Sequence, residues 1–124
     1  MEMTPKAKTS KLPSLSLRID LDEGRIGPGK IHLLENIHSC GSIAAAGRAM
    51  NMSFKHAWDL VNDLNRICEC PVIEPEKGGR DGGGSALTPF GLSLIDRYRS
   101  IERLVTPAAR EELLGLRADI ERKP

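Results

Sequence analysis

The sequence predicts a mainly α fold with a small antiparallel β-sheet (α+β), and three observations predict it. The chain has 124 residues with one Trp, one Tyr and two Phe, so a single core has to be assembled from Leu, Ile, Val, Ala and Met, a supply that suits packed helices. Apolar residues recur at helical spacing in successive stretches from Ile31 onward. Two short segments, Val72-Ile73-Glu74 and Ser85-Ala86-Leu87, read as strands on either side of the run Gly78-Gly79-Arg80-Asp81-Gly82-Gly83-Gly84, the pattern of a hairpin with a long glycine-rich tip.

Residues 1–14 carry Lys6, Lys8 and Lys11 with two prolines and read as a flexible N-terminal arm. Leu15 to Leu21 then alternates apolar and polar, the period of a strand with one buried face, and Asp22-Glu23-Gly24-Arg25 closes it as a turn. A helix is expected from Gly27-Pro28-Gly29, with Ile31, Leu34 and Ile37/His38 on one face and Gly41 as its stop. His32 and His38 read as packing histidines on or near that face. Ser42 caps a short helix from Ile43 to about Ala49, where Ala44, Ala45, Ala46 and Ala49 allow another helix to approach closely. After a brief turn at Asn51-Met52, Ser53 caps a third helix running to about Ile67.

Placing that helix at 100° per residue puts Phe54, Ala57, Trp58, Val61, Leu64 and Cys68 in one arc, with Lys55, His56, Asp59, Asn62, Asp63 and Arg66 opposite. Trp58 is therefore assigned to the core. Pro71 ends the helix. Thr88-Pro89 supplies a cap with proline at the first helical position, opening a fourth helix with the stripe Phe90, Leu94, Tyr98, Ile101 and Val105. Pro107 is expected to interrupt it, leaving Ala108 to Ile120 as a weaker, charged helix. The domain proper is placed at residues 15–106, with 107–124 as a C-terminal helix or tail.

Strand, helix, helix, turn, helix, strand, loop, strand, helix is the order of a winged helix-turn-helix. The helix after the tight turn can enter a major groove about 12 Å wide, while the hairpin reaches phosphate or the minor groove. The candidate DNA-contacting residues are Ser42, Ser53, Phe54, Lys55, His56 and Asp59 on the helical motif, and Lys77 and Arg80 on the wing. Lys55 and His56 project from the recognition helix's first turn, and the amides at Ser53 suit a phosphate. Asp59 either accepts from a cytosine amino group or lies exposed.

The glycine run does not read as a nucleotide loop, because no Gly-Lys-Ser/Thr follows and it joins two strands. Charge alone is uninformative: net charge is +1, and from Ser42 to Gly84 Arg48, Lys55, Arg66, Lys77 and Arg80 face Asp59, Asp63, Glu69, Glu74, Glu76 and Asp81. A few placed cations have to do the binding. Apolar surplus on the last helices, Leu104, Val105, Leu113, Leu114 and Leu116, predicts a two-fold homodimer that spaces two recognition helices roughly 34 Å apart, with Tyr98, Ile101, Leu104, Val105 and Leu113 as its candidate contacts; the alternative is a monomer with one helix folded back.

The motif words resemble the molybdate-responsive regulators, the ModE family. They are Gly41-Ser42-Ile43, Ser53-Phe54-Lys55-His56-Ala57-Trp58, the glycine-rich wing, and Leu87-Thr88-Pro89-Phe90-Gly91, spread over about Leu15 to Val105. The family usually has tyrosine where Phe54 stands. The resemblance implies a LysR-like winged helix-turn-helix that binds double-stranded DNA and regulates transcription, with a link to molybdenum transport genes. Family members carry molybdate-binding domains after the linker helix; none is expected within residues 107–124, so no cofactor is assigned here.

The alternative is a winged-helix module that binds another protein and no DNA. No Ser/His/Asp, Cys/His or paired-carboxylate set suggests an enzyme, and no His/Cys/carboxylate cluster has metal-ligand spacing. Cys40, Cys68 and Cys70 are expected reduced and mostly buried. No apolar run approaches the roughly 20 residues of a membrane span, and the N-terminus lacks a signal-peptide core, so a cytoplasmic location is expected.

Overall fold

The structure is a computed structural model and describes residues 13–76 and 84–123. Its elements run β1 (Ile19–Leu21), β2 (Gly24–Ile26), α1 (Pro28–Cys40), α2 (Ile43–Ala49), α3 (Phe54–Cys68), β3 (Ile73–Pro75), β4 (Ser85–Leu87) and α4 (Pro89–Arg122). The mainly α architecture with small antiparallel pairing is as the sequence predicts. There are two hairpins where one was expected: β1 pairs with β2 in the register Ile19 to Ile26, and β3 with β4 in the register Ile73 to Leu87. The turn expected at Asp22 to Arg25 is thus only two residues long, and Gly24 and Arg25 already belong to the returning strand.

Among the described residues two compact units are distinguished, one within residues 16–100 and a second comprising 13–15 with 101–123. The core of the first is Ile26, Ile31, Leu33, Leu34, Ile37, Ile43, Ala46, Ala57, Val61, Leu64, Ile67, Val72, Leu87 and Tyr98. Each helix brings an apolar stripe, and Ala46, Gly47 and Ala57 are small enough to let α2 and α3 meet at close range. His32 and His38 are both exposed, contrary to the packing role expected of them, because Leu33 rather than His38 completes the buried face of α1.

Local chemistry sets the element ends. Gly41 terminates α1 in the left-handed region at φ 86°, where a Cβ would be strained, and its N–H donates to Ile37 O at 2.9 Å. Ser42 Oγ accepts from Ala45 N, Ser53 Oγ from His56 N, and Thr88 Oγ1 from Gly91 N, each at 3.0 Å. α3 stops at Glu69, which is left-handed at φ 54°, two residues before Pro71.

α4 runs unbroken through Pro107, correcting the expected interruption. Proline removes one N–H and one helical hydrogen bond, but the residues beyond it, Ala108, Ala109, Arg110, Glu111, Glu112, Leu113 and Leu114, are mostly strong helix formers that carry the helix on.

Within the first unit three contacts lock α4. Tyr98 is 1% exposed and its hydroxyl donates to Leu17 O at 2.7 Å. Arg99 forms a bidentate pair with Glu35 of α1 at 2.7 and 2.9 Å. The Arg99 guanidinium holds the Glu35 carboxyl below the usual carboxylate range. Gly91 lies so close to Val72 O that a Cβ would overlap it.

The cysteines are free thiols but none is buried: Cys40 is exposed, and Cys68 and Cys70 are half-buried. Partial burial, followed by the neighbouring Cys70, pushes the Cys68 thiol up.

Candidate nucleic-acid interface

α2, the turn after it and α3 form the helix-turn-helix. The turn is held by Met50 N donating to Ala46 O at 3.1 Å and Met52 N to Gly47 O at 2.9 Å, with Asn51 left-handed at φ 57°. Glycine suits position 47, because a Cβ would stand 3.3 Å from Met52 O, tighter than an ordinary contact.

α3 buries Ala57, Val61, Leu64 and Ile67. The predicted arc is correct at its centre and displaced at one edge. Phe54 is 55% exposed and Trp58 36% exposed, so Trp58 is not a core residue. Leu60 and Ile67, which the arc omitted, pack inward instead and turn the buried face away from the two aromatics. Phe54, Lys55, His56 and Asp59 therefore share an open surface at the head of α3.

On that surface Lys55 Nζ and Asp59 Oδ2 pair at 3.0 Å with both side chains largely in solvent. Such an exposed i,i+4 pair contributes only about 0.3–0.5 kcal/mol, so Lys55 can exchange Asp59 for another anion at little cost. Further along, Arg66 pairs with Asp63 at 3.3 Å and donates to Glu23 O at 2.6 Å, pinning α3 to the first hairpin. Ser42 and Ser53 spend their side-chain oxygens on the caps of α2 and α3.

Lys77 and Arg80, the wing cations, lie outside the described residues. The root of the wing is described: Glu76 N donates to Gly84 O at 3.1 Å, extending the β3–β4 ladder, and Ser85 N donates to Gly41 O at 2.8 Å. The hairpin is thus tied to the junction of α1 and α2.

Of the residues expected to pair two copies, Tyr98 is spent in the core and faces no solvent. In the second unit Ile101, Val105 and Leu113 are half-buried, while Leu104 is 73% exposed, and Leu114, Leu116 and Ile120 are exposed as well. Thr106, Pro107, Arg110, Leu113 and Leu114 line a hollow of about 240 Å³ together with Pro13.

Sequence reasoning missed one feature. Beside His56 opens a groove of about 430 Å³ lined by Arg18, Arg25 and Lys30. Its cations come from three separate places in the chain, which no linear motif links. Among the described residues no three His, Cys, Asp or Glu side chains gather as a metal site would require, and no helix is long and apolar enough to cross a membrane.

Comparison with known proteins agrees with this geometry. The chain is 40% identical over 78 residues to the transcriptional regulator ModE of Haemophilus influenzae, covering 63% of this chain and 31% of that protein. It is 44% identical over 78 residues to the molybdenum-pterin-binding protein MopB of Rhodobacter capsulatus, covering 63% and 29%. It is 39% identical over 71 residues to the DNA-binding transcriptional dual regulator ModE of Escherichia coli, covering 57% and 27%. The chain thus spans about a third of the length of the curated relatives it matches. The DNA-binding domain of CbnR, solved in complex with DNA, superposes with a TM-score of 0.52 at 19% identity, over 77% of this chain and 97% of that one, and shares the fold. No protein-family model matches.

Proposed function

We propose that this chain, a relative of the ModE and Mop proteins through its winged helix, is a sequence-specific DNA-binding transcriptional regulator of the ModE type tied to molybdenum transport genes. The observation that carries the reading is the head of α3, where Phe54, Lys55, His56 and Asp59 stand open to solvent while the opposite face of the same helix is fully used by the core. A helix fixed by a cap, a tight preceding turn and a buried stripe, with an open outer N-terminal turn, has the geometry of a recognition helix and supports this reading.

In this reading α3 enters the major groove with Lys55 and His56 at base edges or phosphates. Asp59 either accepts from a cytosine amino group or sets the resting position of Lys55. Lys77 and Arg80 meet the backbone or minor groove. Two copies pair through the apolar residues of the second half of α4, Ile101, Leu104, Val105 and Leu113, and read half-sites one helical turn apart. The molybdenum link rests on the names of the relatives.

The test is selection of a duplex from a random library by the full chain, followed by binding with Lys55→Ala and Arg80→Ala. Each replacement is expected to weaken binding, and a lost phosphate contact lowers the salt slope by about one unit. Unchanged affinity in both variants, or no selected sequence at all, refutes the reading.

A further inference from the structure

We infer that the groove between the first hairpin, the start of α1 and α3 is a second phosphate-binding surface, which grips the DNA backbone through Arg18, Arg25 and Lys30 beside the reading head. The inference rests on the DNA-binding reading and assigns contacts that neither the helix-turn-helix nor the wing supplies.

Three observations carry it. The groove lining includes three permanent cations and no carboxylate. Asp20, which lies opposite Arg25 across the hairpin, pairs with Arg18 at 3.0 Å in an exposed bridge, while among the described residues neither Arg25 nor Lys30 forms an ion pair. Lys30 is held in place by donating to Arg25 O at 2.8 Å, so it stays over the hairpin strand that carries Arg25.

The groove is also continuous with the reading head. His56 and Leu60 of α3 and Met52 of the preceding turn belong to its wall. A backbone seated beside His56 at the head of α3 therefore lies next to the three cations as well. Leu17, Met52 and Leu60 add apolar lining, which suits the aliphatic stems of Arg18, Arg25 and Lys30. The start of α1 adds to this: Gly27 offers no side-chain cap, and Gly29 at the first turn is exposed.

Polyanion binding through phosphates has a clear signature. Each phosphate neutralised contributes about 0.9 to the slope of log K against log salt, independent of sequence. Between about 50 and 200 mM salt one such contact changes affinity roughly threefold.

The experiment measures binding of the full chain to its selected duplex and to a mixed-sequence duplex of equal length, by fluorescence anisotropy across that salt range. Arg25→Ala and Lys30→Gln are each expected to lower the slope by about one unit on both duplexes, leaving the ratio of the two affinities unchanged. Arg25→Glu is expected to weaken binding further, and unchanged thermal melts establish that the variants fold. If the slopes stay at the wild-type value while Lys55→Ala still weakens binding, the groove does not meet DNA and the reading head stands. A change confined to the selected duplex also overturns the inference, since it marks base readout and not phosphate contact. Absence of duplex binding by the wild-type chain removes the reading head and the groove together.

Discussion

Replacing Tyr98 with Phe removes one oxygen atom from the domain and isolates the contact that fastens α4 to the segment leading into β1. The hydroxyl donates to Leu17 O at 2.7 Å, and the side chain is 1% exposed. A buried hydrogen bond is worth about 1 kcal/mol net, and an acceptor left unsatisfied costs about 1–3 kcal/mol. Leu17 is half-buried, so water reaches its carbonyl in part and the loss should fall near the lower end, about 1–2 kcal/mol. For a unit spanning residues 16–100, each kcal/mol moves Tm by about 4–8 °C, so a drop of roughly 5–15 °C is expected.

The assay is a thermal melt by circular dichroism, paired with urea unfolding to confirm that the m-value is unchanged. Sedimentation at the same concentrations is expected to show the wild-type oligomeric state, because Tyr98 is inside the core and not on a partner. A Tm within about 1 °C of wild type would refute the reasoning, as it would mean the Leu17 carbonyl is satisfied equally well by solvent.

Gly91→Ala places a Cβ against Val72 O, and backbone has little room to yield; a destabilisation of about 2–4 kcal/mol in urea melts is expected. Glu35→Gln tests the pair with Arg99. Because the carboxyl is held below its ordinary value, its contribution is present above the unfolded-state pKa and is lost as pH falls through the lower folded value. Wild type and variant should therefore differ by about 1 kcal/mol at pH 7 and converge in acid, measured by urea melts from pH 7 to about 3. Leu104→Glu should leave Tm of the monomer nearly unchanged, since Leu104 is 73% exposed, while weakening self-association in sedimentation if α4 pairs copies.

Much of the fold was legible because its punctuation is local. Ser42, Ser53, Thr88-Pro89 and Gly41 each act within four residues of themselves, so caps, stops and element order could be read directly from the chain. What escaped depends on partners distant in sequence. Tyr98 belongs to an apolar stripe, and nothing in that stripe announces that its hydroxyl will find Leu17, 81 positions away. Arg99 and Glu35 are separated by 64 positions and meet only when α4 crosses α1.

Trp58 illustrates a different limit. A helical wheel fixes which residues are neighbours, but the direction of the core is set by packing, and Leu60 and Ile67 drew it away from Phe54 and Trp58. The groove of Arg18, Arg25 and Lys30 was invisible for the same reason as the long-range pairs. Hairpin pairing and the start of α1 bring these cations together, and their spacing along the chain carries no pattern.

The carbonyl of Gly41 joins two parts of the domain that lie far apart in sequence. That one residue ends α1, precedes the cap of α2 and accepts the N–H of Ser85 at the foot of the wing. The β3–β4 hairpin is therefore anchored at the residue next to the cap of α2. The foot of the β3–β4 hairpin and the cap of α2 thus meet within one peptide unit, so a substitution at Gly41 or Ser42 disturbs both at once.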